Sequence, residues 1–225
     1  MTALNSARKA RDRTHAPPRE ESARPAPRLY LITPPEPAAL AGPLTAALGA
    51  ADVAAVLVRL APADERSLVQ RVKALAPLVQ AQGAALLIDG WPEIVARAGA
   101  DGVHARGLAA LKEALRLKPE RIVGAGALRT RHDAMLASEW GADYVMLGEP
   151  DETGRRPPFE AVVELVAWWA ELFEIPCVGY AQTVEELDEL CAAGADFIAA
   201  EAALSDPQSW AAALARARAR LRVSR

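Results

Sequence analysis

Gly99-Ala100-Asp101-Gly102-Val103-His104 has two counterparts later in the chain, Gly141-Ala142-Asp143-Tyr144-Val145-Met146-Leu147 and Gly194-Ala195-Asp196-Phe197-Ile198-Ala199-Ala200. Each segment follows a helical stretch and opens an apolar run. Glycine suits the left-handed residue that ends many helices, and the small Ala-Asp pair then turns the chain. The apolar residues suit a strand that is buried on both faces, as parallel strands are. Three such joints indicate a repeated helix-to-strand unit.

Strand-like and helix-like runs alternate eight times after residue 28. Short β-branched runs predict strands at 29–33, 53–60, 84–89, 102–105, 122–128, 144–148, 177–180 and 197–200. Apolar residues spaced three and four apart predict helices at 38–50, 65–82, 93–98, 108–117, 132–140, 159–173, 184–193 and 210–221. Eight such units in roughly 200 residues predict an α/β fold of the (β/α)8 TIM barrel type. An open doubly wound sheet is the alternative, although Gly124-Ala125-Gly126 is only a weak dinucleotide-binding signal.

Capping signals agree with two of the predicted helix starts. Thr183 precedes Val184 and stands three residues before Glu186, which is the spacing of a capping box. Asp206-Pro207 places a proline in the first turn of the last helix, where its missing N–H costs nothing. These signals predict that the seventh helix begins after Thr183 and the eighth after Asp206.

The composition divides the chain into two parts. Of the 225 residues 52% are hydrophobic, which is enough for one sizeable core. Residues 1–28 are rich in arginine and proline and poor in large apolar residues, so we expect a disordered basic tail there and the barrel over 29–225. The whole chain has a net charge of −3 although residues 1–28 are basic, so the residues that follow them are acidic. An acidic barrel argues against nucleic acid as a partner.

The sequence also bears on cellular location and assembly. No apolar run has the length of a signal h-region or a membrane span, so no membrane association is expected. Cys177 and Cys191 lack metal or redox spacing, which favours a reduced, cytoplasmic protein. Trp168 and Trp169 lie in an apolar helical stripe that suits the core or a subunit contact. A homodimer is therefore left open.

Residues at strand ends are the candidates for chemistry, because TIM barrels place their sites at the carboxyl ends of the strands. Arg59 could bind a phosphate bidentately, or it could pair with Asp89 at the next strand end. Asp89 could act as a base, but a lone aspartate is a poor magnesium site. His104 could be an acid or base near neutral pH, or a hydrogen-bonded histidine of the barrel rim.

Two loops carry further candidates for anion binding. Arg129-Thr130-Arg131-His132-Asp133 could bind an anion at a helix start, or Asp133 could cap that helix and leave the arginines solvated. The polar loop 148–158 could be a lid in which Arg155 and Arg156 close over an anion, or a plain exposed connector. The remaining polar candidates that follow strands are Glu149, Gln182, Thr183 and Glu201.

The chain resembles the thiamine phosphate synthase/TenI family over residues 29–221. The resemblance starts with Leu29-Tyr30-Leu31-Ile32-Thr33 and is most specific from Leu86-Leu87-Ile88-Asp89 through Gly99-Ala100-Asp101-Gly102-Val103-His104. It implies a (β/α)8 barrel. It also implies either a magnesium-dependent synthase, which joins a pyrimidine pyrophosphate to a thiazole phosphate, or a thiazole isomerase of the TenI branch.

Several positions depart from the family pattern. Asp89-Gly90 stands where the family has Asn-Asp, and residues 105–108 supply no second metal carboxylate, so the magnesium ligands are unmatched and no cofactor is expected. Gly126 replaces a serine, and Leu128 or Arg129 replaces the isomerase histidine. His132 is displaced from that position by about one helical turn. Glutamine and lysine are lost around Arg59, and the phosphate-holding Gly-Gly is Ala181-Gln182.

Two hypotheses follow for the function, and both take a phosphorylated small molecule as partner. The first is a divergent protein of thiamine biosynthesis that binds or converts a phosphorylated heterocycle, with Asp89, His104 or His132 as the acid–base group. Its binding residues would be Arg59, Arg129, Arg131, Glu149, Arg155, Arg156, Gln182 and Thr183. The second is a catalytically inactive barrel that binds a metabolite or another protein. The retained arginines favour the first, and the lost metal and phosphate residues favour the second.

Overall fold

The computed structural model describes residues 25–35, 40–151 and 153–223. Within these residues eight parallel strands form a closed barrel, in which each strand pairs with the next and the last pairs with the first. This confirms the predicted (β/α)8 TIM barrel. The disordered tail was expected over residues 1–28, and its first 24 residues lie outside the described part of the chain.

The strands are β1 Arg28–Ile32, β2 Val53–Val58, β3 Ala85–Asp89, β4 Gly102–Arg106, β5 Ile122–Gly126, β6 Tyr144–Leu147, β7 Cys177–Tyr180 and β8 Phe197–Ala200. The α-helices are α1 Ala41–Ala50, α2 Glu65–Gln80, α3 Val95–Ala98, α4 Gly107–Ala114, α5 Arg131–Glu139, α6 Phe159–Leu172, α7 Glu186–Ala192 and α8 Pro207–Val223. Short 3-10 helices cover Leu115–Leu117 and Ala202–Leu204. None of these described helices is long and apolar enough to cross a membrane.

The three Gly-Ala-Asp joints have the predicted backbone. Gly99, Gly141 and Gly194 all have positive φ angles, of 71°, 99° and 96°. The alanine that follows each glycine is buried against the core. The chain therefore leaves each helix through a left-handed residue and enters the next strand within two residues, as the sequence pattern indicates.

Each joint aspartate has a role that the sequence pattern did not reveal. Its carboxylate accepts the backbone N–H of a residue near the start of the preceding strand, and its own N–H donates to the carbonyl of that same residue. The carboxylate distances are 2.7 Å for Asp101 with Leu86, 2.8 Å for Asp143 with Val123 and 2.9 Å for Asp196 with Cys177. The joint thus clamps the strand that it opens to the strand before it.

Asp52, just before β2, makes a related clamp in a different way. Its carbonyl accepts the Leu29 N–H at 3.0 Å, and its carboxylate accepts Arg28 Nε at 2.7 Å. Arg218 of α8 donates to the other carboxylate oxygen at 2.9 Å. Four aspartates therefore tie the strands together in consecutive pairs around the amino end of the barrel.

One of the predicted capping signals is wrong. The seventh helix begins at Glu186 and has no side-chain cap, so Thr183 does not form a capping box. The Glu186 carboxylate instead accepts the Gln182 N–H at 2.8 Å and pairs with Arg156. Asp206 accepts the Ser209 N–H at 3.2 Å, which confirms the predicted start of the last helix.

Apolar side chains form two layers on either side of the sheet. The barrel interior is filled by a cluster that includes Tyr30, Ile32, Leu57, Leu87, Tyr144, Met146, Val178 and Tyr180. The larger layer lies between the strands and the helices and contains Trp169, which is fully buried and donates from Nε1 to the Ile175 carbonyl at 2.8 Å. Because these side chains fill the barrel interior, we look for a ligand site at the carboxyl ends of the strands.

The joint clamp makes a stability prediction for Asp101→Ala. The substitution leaves the Leu86 N–H without its carboxylate acceptor, so we expect it to lower the free energy of unfolding by about 1–3 kcal/mol. The exposed Glu113 of α4 offers the control, because Glu113→Ala is expected to change stability by less than about 0.5 kcal/mol. Chemical denaturation of both variants checks this, and equal stabilities would contradict the clamp.

Candidate functional site

A buried carboxylate lies at the centre of the carboxyl end of the barrel. Glu149 follows β6, and its side chain has no exposure to solvent. One oxygen accepts the Ala127 N–H at 3.0 Å and lies 3.3 Å from His104 Nε2. The other oxygen accepts a hydrogen bond from Arg106 Nη1. Two side chains of β4 and a backbone N–H that follows β5 therefore surround one negative charge.

A chain of polar side chains runs from Glu149 down the inside of the barrel. His104, on β4, is fully buried, and its Nδ1 lies 2.9 Å from the Tyr144 hydroxyl. The Tyr144 hydroxyl is in turn 2.7 Å from that of Tyr30. Burial raises the pKa of both phenols, so both stay neutral and can donate hydrogen bonds. His104 is held at both ring nitrogens, which is the hydrogen-bonded alternative considered for it from the sequence.

Arg59, at the end of β2, lies among three carboxylates, and each of its guanidinium nitrogens faces a different one. Nε is 3.6 Å from Asp89, Nη1 is 2.8 Å from Glu201, and Nη2 is 3.9 Å from Glu149. The side chain is 20% exposed. Of the two sequence-based alternatives, the structure contains the carboxylate pairing, and Glu201 is a nearer partner than Asp89.

Two glycines of β5 make room for this polar core. A Cβ at Gly126 would lie 2.2 Å from His104 Nε2 and 2.5 Å from Glu149 Oε2, and a Cβ at Gly124 would lie 1.9 Å from the Tyr144 ring. No side chain fits at either position without moving these groups. Packing inside the barrel therefore requires glycine at positions 124 and 126. This explains the Gly124-Ala125-Gly126 segment without a dinucleotide.

The two carboxyl groups beside Arg106 have pKa values displaced in opposite directions. Burial alone would raise the pKa of Glu149, but His104, Arg106 and Arg59 together hold it below its usual value. Burial raises the pKa of Asp89, and the charge of Glu149 adds to this, although His104 and the two arginines oppose it. Such a divided pair is typical of sites in which one carboxyl exchanges protons and the other stays charged. Asp89, 13% exposed, is the group suited to proton exchange.

A cavity of about 400 Å³ opens beside Glu149, between the loops that follow β4, β5 and β6. Its volume falls in the range of small-molecule sites. Its charged lining residues are Arg106, Arg129, Glu149, Asp151, Arg155 and Arg156. Four arginines against two carboxylates give the cavity an excess of positive charge, which suits an anionic ligand.

Arg156 is held rigidly at the cavity wall. Its Nη1 lies 2.9 Å from the Glu186 carboxylate and 3.3 Å from Gln182 Oε1, and its guanidinium is within cation–π distance of Phe159 and Tyr180. Its Nη2 is buried and has no hydrogen-bond partner among the described residues. The cavity wall therefore carries a guanidinium whose position is fixed by its partners.

The other two arginines of the cavity differ in their partners. The Arg129 side chain is exposed and forms no ion pair with any described residue. Arg155 is 85% exposed and lies 3.9 Å from Asp151, which is a weak contact. Asp151 also accepts the N–H of Thr153 at 2.9 Å and that of Arg155 at 3.1 Å, so the loop after β6 is folded on itself.

Three candidates from the sequence, Arg131, His132 and Thr183, neither line the cavity nor contact a charged residue that lines it. Arg131 stacks on Trp168 at 4.9 Å, and His132 is exposed in the first turn of α5. Thr130 and Asp133 form a full capping box there, which is the capping alternative for this segment. Thr183 is exposed after β7. The structure gathers Asp89, His104, Glu149 and Arg59 in one network, with Arg129, Arg155 and Arg156 along its outer edge.

Sequence reasoning missed two contributors to the site. Tyr144 was assigned only to a strand, although its hydroxyl bridges His104 and Tyr30. Glu186 was assigned to a capping box, although it fixes Arg156. The pairing of an inward-facing tyrosine with a glycine on the neighbouring strand is a signal that could have identified Tyr144. The role of Glu186 depends on a contact between residues that are far apart in the sequence.

The residues present do not fit a magnesium ion. Among the described residues no group of three or more His, Cys, Asp or Glu side chains is arranged to hold a metal. The carboxylates of Asp89 and Glu149 face the guanidinium groups of Arg59 and Arg106 instead. Magnesium prefers several oxygen ligands in near-octahedral order, and guanidinium groups already stand beside these oxygens.

The chain is similar to known proteins over most of its length. The family model described as thiamine monophosphate synthase matches residues 29–204. A thiamine-phosphate synthase of Rhodospirillum centenum is 45% identical over 178 residues, which covers 76% of this chain and 86% of that protein. The thiamine-phosphate synthase of Hyphomonas neptunium is 35% identical over 213 residues, covering 86% and 93%.

The fold has a counterpart among solved structures. A thiamine phosphate pyrophosphorylase from Pyrococcus furiosus superimposes with a TM-score of 0.72 over 84% of this chain and 96% of that one. The two sequences are 21% identical, so this likeness bears on the fold alone.

The packing of Gly126 predicts a loss of stability for Gly126→Ala. The added methyl would collide with His104 and Glu149, so we expect a cost of about 1–3 kcal/mol in the free energy of unfolding. Gly49→Ala is the matched control, because Gly49 lies in α1 with open space around it, and alanine there is expected to stabilise by about 0.5–1 kcal/mol. Thermal or urea unfolding that ranks the two variants alike would refute the packing argument.

The lowered pKa of Glu149 predicts how Glu149→Gln depends on pH. A carboxyl whose folded pKa lies below its unfolded value of about 4.3 stabilises the fold above that pH and loses this effect as the pH falls. At pH 7 the variant leaves Arg106 short of a charge partner and should lose about 3–5 kcal/mol. Urea denaturation from pH 7 down to pH 3 should show the difference from wild type shrinking; a constant difference would argue against the assignment.

Proposed function

Because the chain belongs to the thiamine monophosphate synthase family, we propose that it binds a phosphorylated heterocycle of thiamine biosynthesis in the cavity beside Glu149. The ligand's phosphate lies against the arginines of the loops that follow β5 and β6. Its ring points toward the carboxyl end of the barrel, where Asp89 and Glu149 stand.

One observation carries this proposal, namely the excess of arginines over carboxylates among the residues that line the cavity. Phosphate oxygens are strong acceptors for guanidinium donors, and Arg156 is the arginine held most rigidly. Glu186 and the flanking rings already fix the guanidinium. Little side-chain entropy is therefore lost when the phosphate binds, which favours affinity.

Arg129 and Arg155 complete the proposed phosphate contact from two different loops. Both line the cavity, and neither is engaged by a close carboxylate. Two largely uncommitted arginines together with Arg156 match the charge and the several acceptor oxygens of a phosphate monoester. Gln182, which contacts Arg156 at 3.3 Å, positions that guanidinium and does not line the cavity.

The acid–base roles are assigned from the pKa directions and the burial of each group. Asp89 is the proposed proton acceptor or donor, because its pKa is raised by burial and its side chain reaches solvent. His104 is a positioning residue, since it is fully buried and both ring nitrogens are occupied by Tyr144 and Glu149. Glu149 supplies a fixed negative charge that orients Arg106. His132 stays a prediction from the sequence alone.

Joining of the two heterocycles is the second candidate function, and family membership favours it. The purified protein is mixed with the pyrimidine pyrophosphate, the thiazole phosphate and magnesium, and thiamine phosphate is measured. Product formation that is lost in Asp89→Asn would establish the coupling reaction. No product, with thermal protection by the thiazole phosphate retained, would support binding without coupling. Absence of both would refute the proposed function.

The arginine contacts predict the effect of Arg129→Ala on affinity. Losing one charge-assisted contact to phosphate should weaken binding of the thiazole phosphate by about tenfold. Arg66→Ala is the matched control, because Arg66 is an exposed arginine of α2, and this variant should bind like wild type. Isothermal titration calorimetry at fixed ionic strength measures both affinities. Equal weakening in the two variants would show that only the overall charge matters.

A further inference from the structure

We propose that Arg59 is the built-in cation of the carboxyl end of the barrel, filling the space among Asp89, Glu149 and Glu201 that a divalent cation would otherwise occupy. The consequence is that ligand binding does not require magnesium. The part of this proposal that concerns the ligand rests on the proposed function, whereas the part that concerns the cation does not.

The Arg59 guanidinium stands where a bound cation would stand. Its three nitrogens face three carboxylates, which come from the ends of β3 and β8 and from the loop after β6, at 3.6, 2.8 and 3.9 Å. A single positive group at the centre of three negative ones is the arrangement expected for a bound cation. The planar fork of arginine allows one side chain to serve several carboxylates at once.

The Arg59 backbone is fixed behind the guanidinium, and the side chain is largely buried. The Arg59 backbone N–H donates to Thr33 Oγ1 at 3.1 Å, and Thr33 is fully buried at the end of β1. The side chain is only 20% exposed, so leaving the cluster would place three carboxylates around an uncompensated space. A metal ion could enter only by displacing this arginine.

A second guanidinium, that of Arg106, lies beside the cluster. Arg106 Nη1 hydrogen bonds to Glu149 and lies 3.9 Å from Asp89, while its Nη2 donates to the Pro150 carbonyl at 2.8 Å. Two arginines therefore balance most of the charge of three carboxylates. Removing Arg59 would leave an excess of two negative charges, which is a situation that divalent cations favour.

The experiment compares thermal unfolding of wild type, Arg59→Ala and Arg28→Ala with and without millimolar MnCl2 or MgCl2, at matched ionic strength. The structure predicts no shift in the melting temperature of wild type. Arg59→Ala should melt lower than wild type without metal and gain about 3 °C or more when the metal is added, because a ligand that binds only the folded state stabilises it. Arg28→Ala is the matched control, because it removes the arginine that pairs with Asp52 at the amino end of the barrel. Its melting temperature should not rise when the metal is added.

A metal-induced shift of wild type comparable to that of Arg59→Ala would overturn the proposal, as would the absence of any gain in Arg59→Ala. Should Arg59→Ala fail to fold, calorimetry on the wild type decides the matter. Its affinity for the thiazole phosphate should agree within about twofold between EDTA and MgCl2. Binding that requires magnesium would overturn the built-in cation and leave the proposed function standing. No binding in either buffer would refute the proposed function, and the melting temperature of the wild type would then judge the cation, because a metal-induced rise of about 3 °C or more would overturn it.

Discussion

The need to neutralise the buried Glu149 carboxylate organises the carboxyl end of this barrel. An unpaired charge in such a place would cost several kcal/mol, and the surrounding residues are arranged to prevent that. Arg106 and the Ala127 N–H contact the carboxylate directly, and His104 completes its hydrogen bonding. The same requirement explains the absence of a side chain at Gly126, because any Cβ there would push apart the groups that hold the charge.

The changes from the family pattern are physically connected and do not read as independent losses. The resemblance in sequence implies a serine of the family at the position of Gly126, and here the space beside this glycine is used by the His104–Glu149 pair. Glu201 pairs with Arg59 at 2.8 Å, so the charge that would repel a phosphate is already balanced. In the proposed function the anion is bound further out, by loops after β5 and β6. Arg59 and Arg106 at the strand ends are committed to carboxylates, whereas Arg129 and Arg155 of the loops have no close carboxylate partner among the described residues.

The sequence predicted the fold well because its signals are local. The glycines of the three joints sit at left-handed helix ends, and the alternation of strand and helix follows from apolar spacing. The site was predicted in part, since Arg59 and Asp89 belong to neighbouring strand ends. The burial of Glu149 and the fixing of Arg156 by Glu186 depend on how two loops meet, which no local pattern encodes. The Thr183 capping box failed because Glu186 has stronger partners elsewhere.

The aspartate clamps also group the eight strands of the barrel into four consecutive pairs. Asp101, Asp143 and Asp196 each tie an even-numbered strand to the odd-numbered strand before it, and Asp52 does so for the first pair through Arg28. A local opening between β4 and β5 leaves every clamp intact, whereas one between β3 and β4 breaks one. The clamps reinforce strand pairs whose ladders are short, because β3–β4 and β7–β8 share three paired positions each and β5–β6 shares two, against five for the unclamped β4–β5. The site lies at the opposite end of the barrel, where Arg59 follows β2 and Asp89 ends β3, two strands that none of these four aspartates connects.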